Sequence, residues 1–310
     1  MKSGTLFLLL TALATAGLAP CADISGNPPP YSGNNRLKQR QVARQTAQPR
    51  ALNALVLRAV DDMPKNGGYA VSREAAKKLA NQAVVWDEAT RTLKVDIQQS
   101  QPSFCSAACY VVLLHSLQLW QQARSGAGGD MLPPAAWKAM DVVLGTPDGK
   151  GIWGRANANG PGFAKMVHDL GVGVNFSSMQ QARPGDFLKF FWNEEIGAKE
   201  RGHMVVFLGL GEVDGQPAVR YWSANKPDGF SERTVPLSQM HHLIFTRITK
   251  PENFVGAGTL PETDTWLRDM QKVSVPFVEV CERCGIVAPA SMPSSSQPPA
   301  PRPSAARREM

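Results

Sequence analysis

Several features that would narrow the chemistry of this 310-residue sequence at once are missing. After the apolar run 6–10 there is no second long apolar segment, so no transmembrane helix is expected in the mature chain. Cys281-Glu282-Arg283-Cys284 is the one C-x-x-C. Neither a second pair nor a flanking His completes it, so no metal site is expected, and no organic cofactor is implied. There is no internal repeat, which excludes a solenoid. The formal charge of +7 is not gathered in one block. Much of it sits in the flanks, at Arg36, Lys38, Arg40, Arg302, Arg307 and Arg308. That balance suits an anionic wall polymer or membrane surface, while no nucleic-acid partner is expected. Histidine is also scarce, with five in the chain, so few side chains can serve as a base near neutral pH.

The N-terminus carries more information. Lys2, the apolar run 6–10 and the Ala/Thr-rich residues up to Ala19 have the form of a secretory signal peptide, assigned to 1–22. Leu18-Ala19-Pro20-Cys21 resembles a lipobox, which would give a membrane tether through Cys21. Ordinary cleavage between Ala16 and Ala22 is the alternative. Either route implies an exported, periplasmic or envelope-associated protein in an oxidising compartment, where Cys281 and Cys284 are expected to form a local disulfide. Residues 23–50, poor in large apolar side chains, read as a flexible tether, and 286–310 as a Pro/Ser-rich disordered tail. Between them lie an expected catalytic domain, 51–250, and a C-terminal extension, 251–285, holding the C-x-x-C.

Periodicity places helices first and strands after. Helices are expected at 52–60, at 73–82 with Ser72 as N-cap, at 105–124, at 133–144 and at 162–170, the last closed by Gly171. Residues 146–162 read as a turn-rich loop. Strands are expected at 93–97, 187–192, 203–210, 218–223, 234–236 and 243–248, with a tight turn at Asp214-Gly215. That order is an α+β arrangement with helices packed on an antiparallel meander.

The chain is organised around Pro102-Ser103-Phe104-Cys105-Ser106-Ala107-Ala108-Cys109. Cys105 opens a helix, where unpaired N–H groups and the helix dipole favour a thiolate. Cys109, one turn later on the same face, is expected to be structural. A cysteine nucleophile needs a base, a group that orients the base, and donors for an oxyanion. His203, opening an apolar strand after Gly202, is the expected base. His115 is on the same helix as Cys105 and about 15 Å along it, too far to reach; His241 and His242 remain open. Asn225, at the end of the following strand, would return beside His203 and orient it, with Ser223 and Glu200 as alternatives. The Cys105 N–H, with Gln99 or Gln101, is the expected oxyanion site. Trp153, Arg155, Asn157, Asn159 and Trp192 are candidate cleft residues for a peptide or sugar ligand, although both tryptophans also fit a core.

The order Cys105, His203, Asn225 resembles the papain-like cysteine hydrolases. Arg183-Pro184-Gly185-Asp186-Phe187-Leu188 and Gly202-His203-Met204-Val205-Val206-Phe207-Leu208-Gly209 resemble the NlpC/P60 and CHAP branch. The likeness covers about 100–248. It departs from the D-C-S-G motif of NlpC/P60 and the C-G-S-C-W type of papains, reading Phe104-Cys105-Ser106-Ala107 instead. The resemblance implies a papain-like α+β fold and hydrolysis of peptide or amide bonds in peptidoglycan through an acyl-enzyme. Two other outcomes stay open: a non-catalytic wall-binding or scaffold lipoprotein of the same fold, and a cysteine-dependent acyl- or peptide-transferase.

Overall fold

The computed structural model describes residues 52–125, 131–145 and 147–286. The expected signal peptide, tether, Cys21 and the tail beyond Ile286 lie outside these. The chain begins with α1 (Asn53–Asp62) and a two-residue strand β1 (Asn66–Gly67). Ser72 caps α2 (Arg73–Lys78), its hydroxyl accepting the Ala75 N–H at 3.1 Å, and the helix runs on into a π turn over Leu79–Ala83. The hairpin β2 (Val84–Asp87) and β3 (Thr92–Val95) leads to α3 (Cys105–Ser125). Three short helices follow: α4 (Pro134–Ala139), α5 (Gly151–Asn157) and α6 (Gly162–Leu170).

Strands then dominate: β4 (Gly173–Phe176), β5 (Phe187–Phe191), β6 (Ile196–Gly197), β7 (His203–Val213), β8 (Gln216–Asn225), β9 (Gly229–Pro236) and β10 (His242–Ile248). A seven-stranded sheet has the order β1-β9-β8-β7-β5-β10-β4, with antiparallel pairing throughout. β7 and β8 are joined by Asp214-Gly215, both at positive φ (52° and 74°), as a two-residue hairpin turn requires. The α+β class expected from the sequence is therefore what the chain adopts.

Helix α3 is the axis of the core. Tyr110, Val111, Val112, Leu113, Leu114 and Leu117 are all fully buried. A helix apolar on every side needs neighbours on every side, and α1, α5, β7 and β8 supply them. Each large side chain so buried contributes about 1.5–3 kcal/mol.

The Pro184-Gly185-Asp186 motif holds the sheet to this layer. The Asp186 carboxylate is fully buried. It accepts Arg247 Nε at 2.7 Å and Nη2 at 2.6 Å, the Arg183 N–H at 2.7 Å and Asn53 Nδ2 at 2.8 Å. One side chain thus ties β10 and α1 to the entry of β5. Gly185, at φ 86°, lets the turn approach α1; a Cβ there would lie 2.4 Å from the Asn53 carbonyl oxygen.

Three expectations need correction. Residues 146–162 are not merely a turn-rich loop, since they contain α5, whose Ile152, Trp153 and Ala156 pack into the core. The helix expected at 133–144 stops at Ala139. Residues 251–285 are not an appended extension. The 3-10 segment Pro251–Thr259 buries Phe254 in the α3 core, and α7 (Thr265–Asp269), β11 (Ser274–Val275) and α8 (Phe277–Arg283) follow it, with β11 pairing with β6.

The expected Cys281–Cys284 disulfide is absent: both are free thiols. They are buried among Phe191, Ile244, Leu267 and Met270, and burial pushes both thiol pKa values up. There they act as small apolar side chains.

Candidate active site

Cys105 is the first residue of α3 and is partly exposed, whereas Cys109 one turn later is fully buried. The register of β7 on β8 pairs Val206 with Trp222. Carried three residues toward the strand ends, it sets His203 opposite Asn225. The side chains meet, with His203 Nε2 3.2 Å from Asn225 Oδ1. Asn225 Nδ2 donates to the Ser231 carbonyl at 2.9 Å and the Ser223 carbonyl at 3.1 Å. The amide is thereby oriented with Oδ1 toward the ring, so Nε2 carries the proton and Nδ1 is left as the acceptor. The rings of Phe190 and Tyr221 flank the imidazole edge-on, at 5.4 and 5.7 Å between centroids.

The Cys105 thiol lies within reach of the charge and hydrogen bonding of His203. Burial alone would raise its pKa. The His203 charge and hydrogen bond, the Lys189 ammonium and the Met204 backbone amide outweigh burial and hold the thiol down to about 6. Cys109 differs: burial, reinforced by the neighbouring Cys105 charge, drives its pKa well above the usual thiol value. Of the two cysteines, Cys105 alone combines exposure, a base and a stabilised thiolate.

Cys105 opens on a cleft of about 1120 Å³. Phe104, Trp153, Asn159, Lys189, Arg201 and Gly202 are among its walls, with Tyr69 on the near side. Tyr69 is set there by hydrogen bonds between the segments 68–70 and 103: Ser103 N–H to Gly68 O, and Ala70 N–H to Ser103 O. Burial first, and then the charge on Cys105, raise its phenol pKa to about 12, so it remains a donor at neutral pH. The Cys105 N–H, in the first turn of α3, has no intrahelical acceptor. The Cys105 N–H and the Tyr69 hydroxyl, on residues that line the same cleft, are the candidate donors for an oxyanion there.

The other candidates are distributed as follows. Gln101 is spent elsewhere, since its Nε2 donates to the Asn66 carbonyl at 2.9 Å and its amide occupies the space a Cβ on Gly67 would need. Gln99 is exposed on the 3-10 turn Ile97–Gln99 and is not part of the cleft wall. Trp153 is 1% exposed and packs on Phe104 and Tyr110, so it belongs to the core and offers the cleft only an edge. Arg155 is buried and donates to the Pro261 carbonyl at 2.7 Å, which anchors the C-terminal segment. Trp192 lies outside the cleft, edge-on to Phe190. Asn157 and Asn159 line it; Asn157 accepts from Ser106 Oγ at 2.7 Å.

The alternatives for base and orienting group are also occupied. His115 meets Asp62 at 2.9 Å, and His242 stacks on Phe277 with 4.1 Å between centroids. His241 lies beside His242, at 4.6 Å between ring centroids, and is not part of the cleft wall. Ser223 Oγ donates to the Met204 carbonyl, and Glu200 accepts the Gly202 N–H at 2.8 Å, bracing the loop ahead of His203.

Two site residues were not singled out from the sequence. Tyr69 follows a Gly-Gly turn and carried no chemical signal. Lys189 did leave a trace, as a charged residue within Phe187-Leu188-Lys189-Phe190-Phe191, every residue of which is buried. No group of His, Cys, Asp and Glu among the described residues could hold a metal ion. Comparison with family models, with curated proteins and with solved structures finds no match to this chain.

Proposed function

We propose that the chain is a cysteine hydrolase of papain-like fold that cleaves peptide or amide bonds, with the peptide part of peptidoglycan as its substrate. The observation that carries this reading is the Cys105–His203–Asn225 relay, with its thiol held at about 6 at the mouth of a large cleft. The resemblance of Pro184-Gly185-Asp186 and Gly202-His203 to the NlpC/P60 and CHAP branch supports it, as do the signal-peptide-like N-terminal sequence and the basic charge.

His203 Nδ1 takes the Cys105 proton, and the sulfur attacks the scissile carbonyl carbon. The carbonyl π electrons move to oxygen, and the Cys105 N–H and Tyr69 hydroxyl face that charge. The tetrahedral adduct collapses as the C–N bond breaks, and His203 returns the proton to the departing amine. Water, deprotonated by His203, then attacks the thioester; the carboxylic acid leaves and the thiol is restored. Asn225 holds the ring in the tautomer each step requires.

Mass spectrometry of muropeptides released from peptidoglycan tests the reading. Wild type and Cys109→Ser are expected to release products whose masses name the bond, and Cys105→Ala and His203→Ala to release none. Cleavage that survives Cys105→Ala would overturn it.

A further inference from the structure

Lys189 lies in the middle of β5 and is 8% exposed. A buried ammonium normally has a partner, because desolvation without one is costly. The Lys189 ammonium makes no hydrogen bond or salt bridge to a described side chain; burial lowers its pKa, and the charges of Cys105, Cys109, Glu200 and Asp148 act against that. Lys189 lines the cleft that Cys105 opens on. Its stem passes beneath Gly202, where a Cβ would come within 2.7 Å of Cε, so the absent side chain leaves room for the ammonium beside the catalytic strand. In the same cleft Asn159 is 7% exposed, and its Nδ2 donor is buried with no acceptor. Two nearly buried donors, one of them cationic, therefore face the cleft with no hydrogen-bond acceptor among the described residues. The exposed Arg201 stands at its rim.

The fixed acidic groups nearby are already engaged. Asp148 accepts Gln271 Nε2 at 2.5 Å, and burial raises its pKa. Glu200 accepts Asn193 Nδ2 and the Gly202 N–H, both at 2.8 Å. Beyond the Cys105 thiolate, whose charge the ammonium already feels, neither donor has a hydrogen-bonded anion, and a ligand entering the cleft would supply one.

We infer that Lys189 and Asn159 form an anion subsite beside Cys105, which selects substrates carrying a free carboxylate close to the bond that is cleaved. Lys189 supplies the countercharge, Asn159 a hydrogen bond, and Arg201 draws the anion toward the mouth. The inference rests on the hydrolase reading for its word substrate. The subsite itself requires only the cleft and the thiol.

The test compares alkylation of Cys105 by iodoacetate, which carries a carboxylate, and by neutral iodoacetamide, with the modified residue mapped by mass spectrometry. In wild type the ratio of the iodoacetate to the iodoacetamide rate is expected to exceed that of a free cysteine model by roughly tenfold. Lys189→Met, with its folding checked by circular dichroism, is expected to return the ratio to the model value. A wild-type ratio equal to the model, or one that folded Lys189→Met leaves unchanged, overturns the subsite. Should Lys189→Met fail to fold, protection of wild type decides. N-acetyl amino acids should slow iodoacetamide labelling and their amides should not; equal protection by both, or none, overturns the proposal. A protein that shows the charge preference yet cleaves no peptidoglycan keeps the subsite and loses only the hydrolase reading.

Discussion

His203 and Asn225 meet across a strand pair, Nε2 to Oδ1 at 3.2 Å, and the Asn225 amide is held in that sense by the carbonyls of Ser223 and Ser231. The tautomer of the imidazole is thus determined by hydrogen bonds on the far side of Asn225. Asn225→Ala should leave the thiol and the base in place but free the ring to turn. Its kcat/KM should fall by roughly 10- to 100-fold, less than the 10²- to 10⁴-fold loss typical of removing a general base, here His203→Ala. Equal losses in the two variants would contradict an orienting role.

The two cysteines of α3 should separate cleanly. Cys109 is fully buried with a strongly raised pKa. Thiol reagents on the folded protein should modify Cys105 and spare Cys109. Cys109→Ser places a hydroxyl in that buried position and should cost about 1–3 kcal/mol, read as a lower midpoint in denaturant, with activity per folded molecule retained.

Tyr69 offers a contrast between binding and chemistry. Tyr69→Phe keeps the ring under Lys226, whose Nζ lies 5.5 Å from its centroid, and removes only the donor. Loss of one oxyanion donor is expected to lower kcat by about 10²–10³-fold while Cys105 alkylation stays close to wild type. Unchanged kcat would remove Tyr69 from the oxyanion site.

Asp186 should matter to the fold. Asp186→Ala leaves Arg247, itself 6% exposed, without its bidentate partner. Removing one member of a buried ion pair typically costs about 3–5 kcal/mol. Equilibrium unfolding should show that loss. A stable variant with lost activity would move Asp186 from scaffold to chemistry.

Much of this was legible in the sequence because local signals agreed. The three- and four-residue spacing of Tyr110, Leu113, Leu114 and Leu117 marked the helix that became α3, Gly171 marked the end of α6, and Asp214-Gly215 marked the hairpin that brings Asn225 back to His203. The Pro184-Gly185-Asp186 motif was visible, but its task was not. The partners of Asp186 lie on α1 and β10, 133 and 61 residues away in sequence, and no spacing rule reveals them. α5 was hidden by the glycines around it, and its stability comes from burying Ile152 and Trp153. Gln101 and Arg155 had the right chemical type, yet both are consumed by distant carbonyls. The C-x-x-C suggested a disulfide on compartment grounds, and packing against Phe191 and Met270 gives those cysteines a different role.

The central claim is that His203 and its surroundings turn Cys105 into a thiolate near neutral pH. Its most direct test is the pH dependence of Cys105 alkylation by iodoacetamide in wild type and His203→Ala. A thiol held at about 6 loses its thiolate as pH falls through that value, so the wild-type rate should rise with a midpoint near 6 and level off above it. In His203→Ala the midpoint should move up toward that of an ordinary thiol, about 8.5. A wild-type midpoint already at the ordinary value, or the same midpoint in both proteins, would contradict the account.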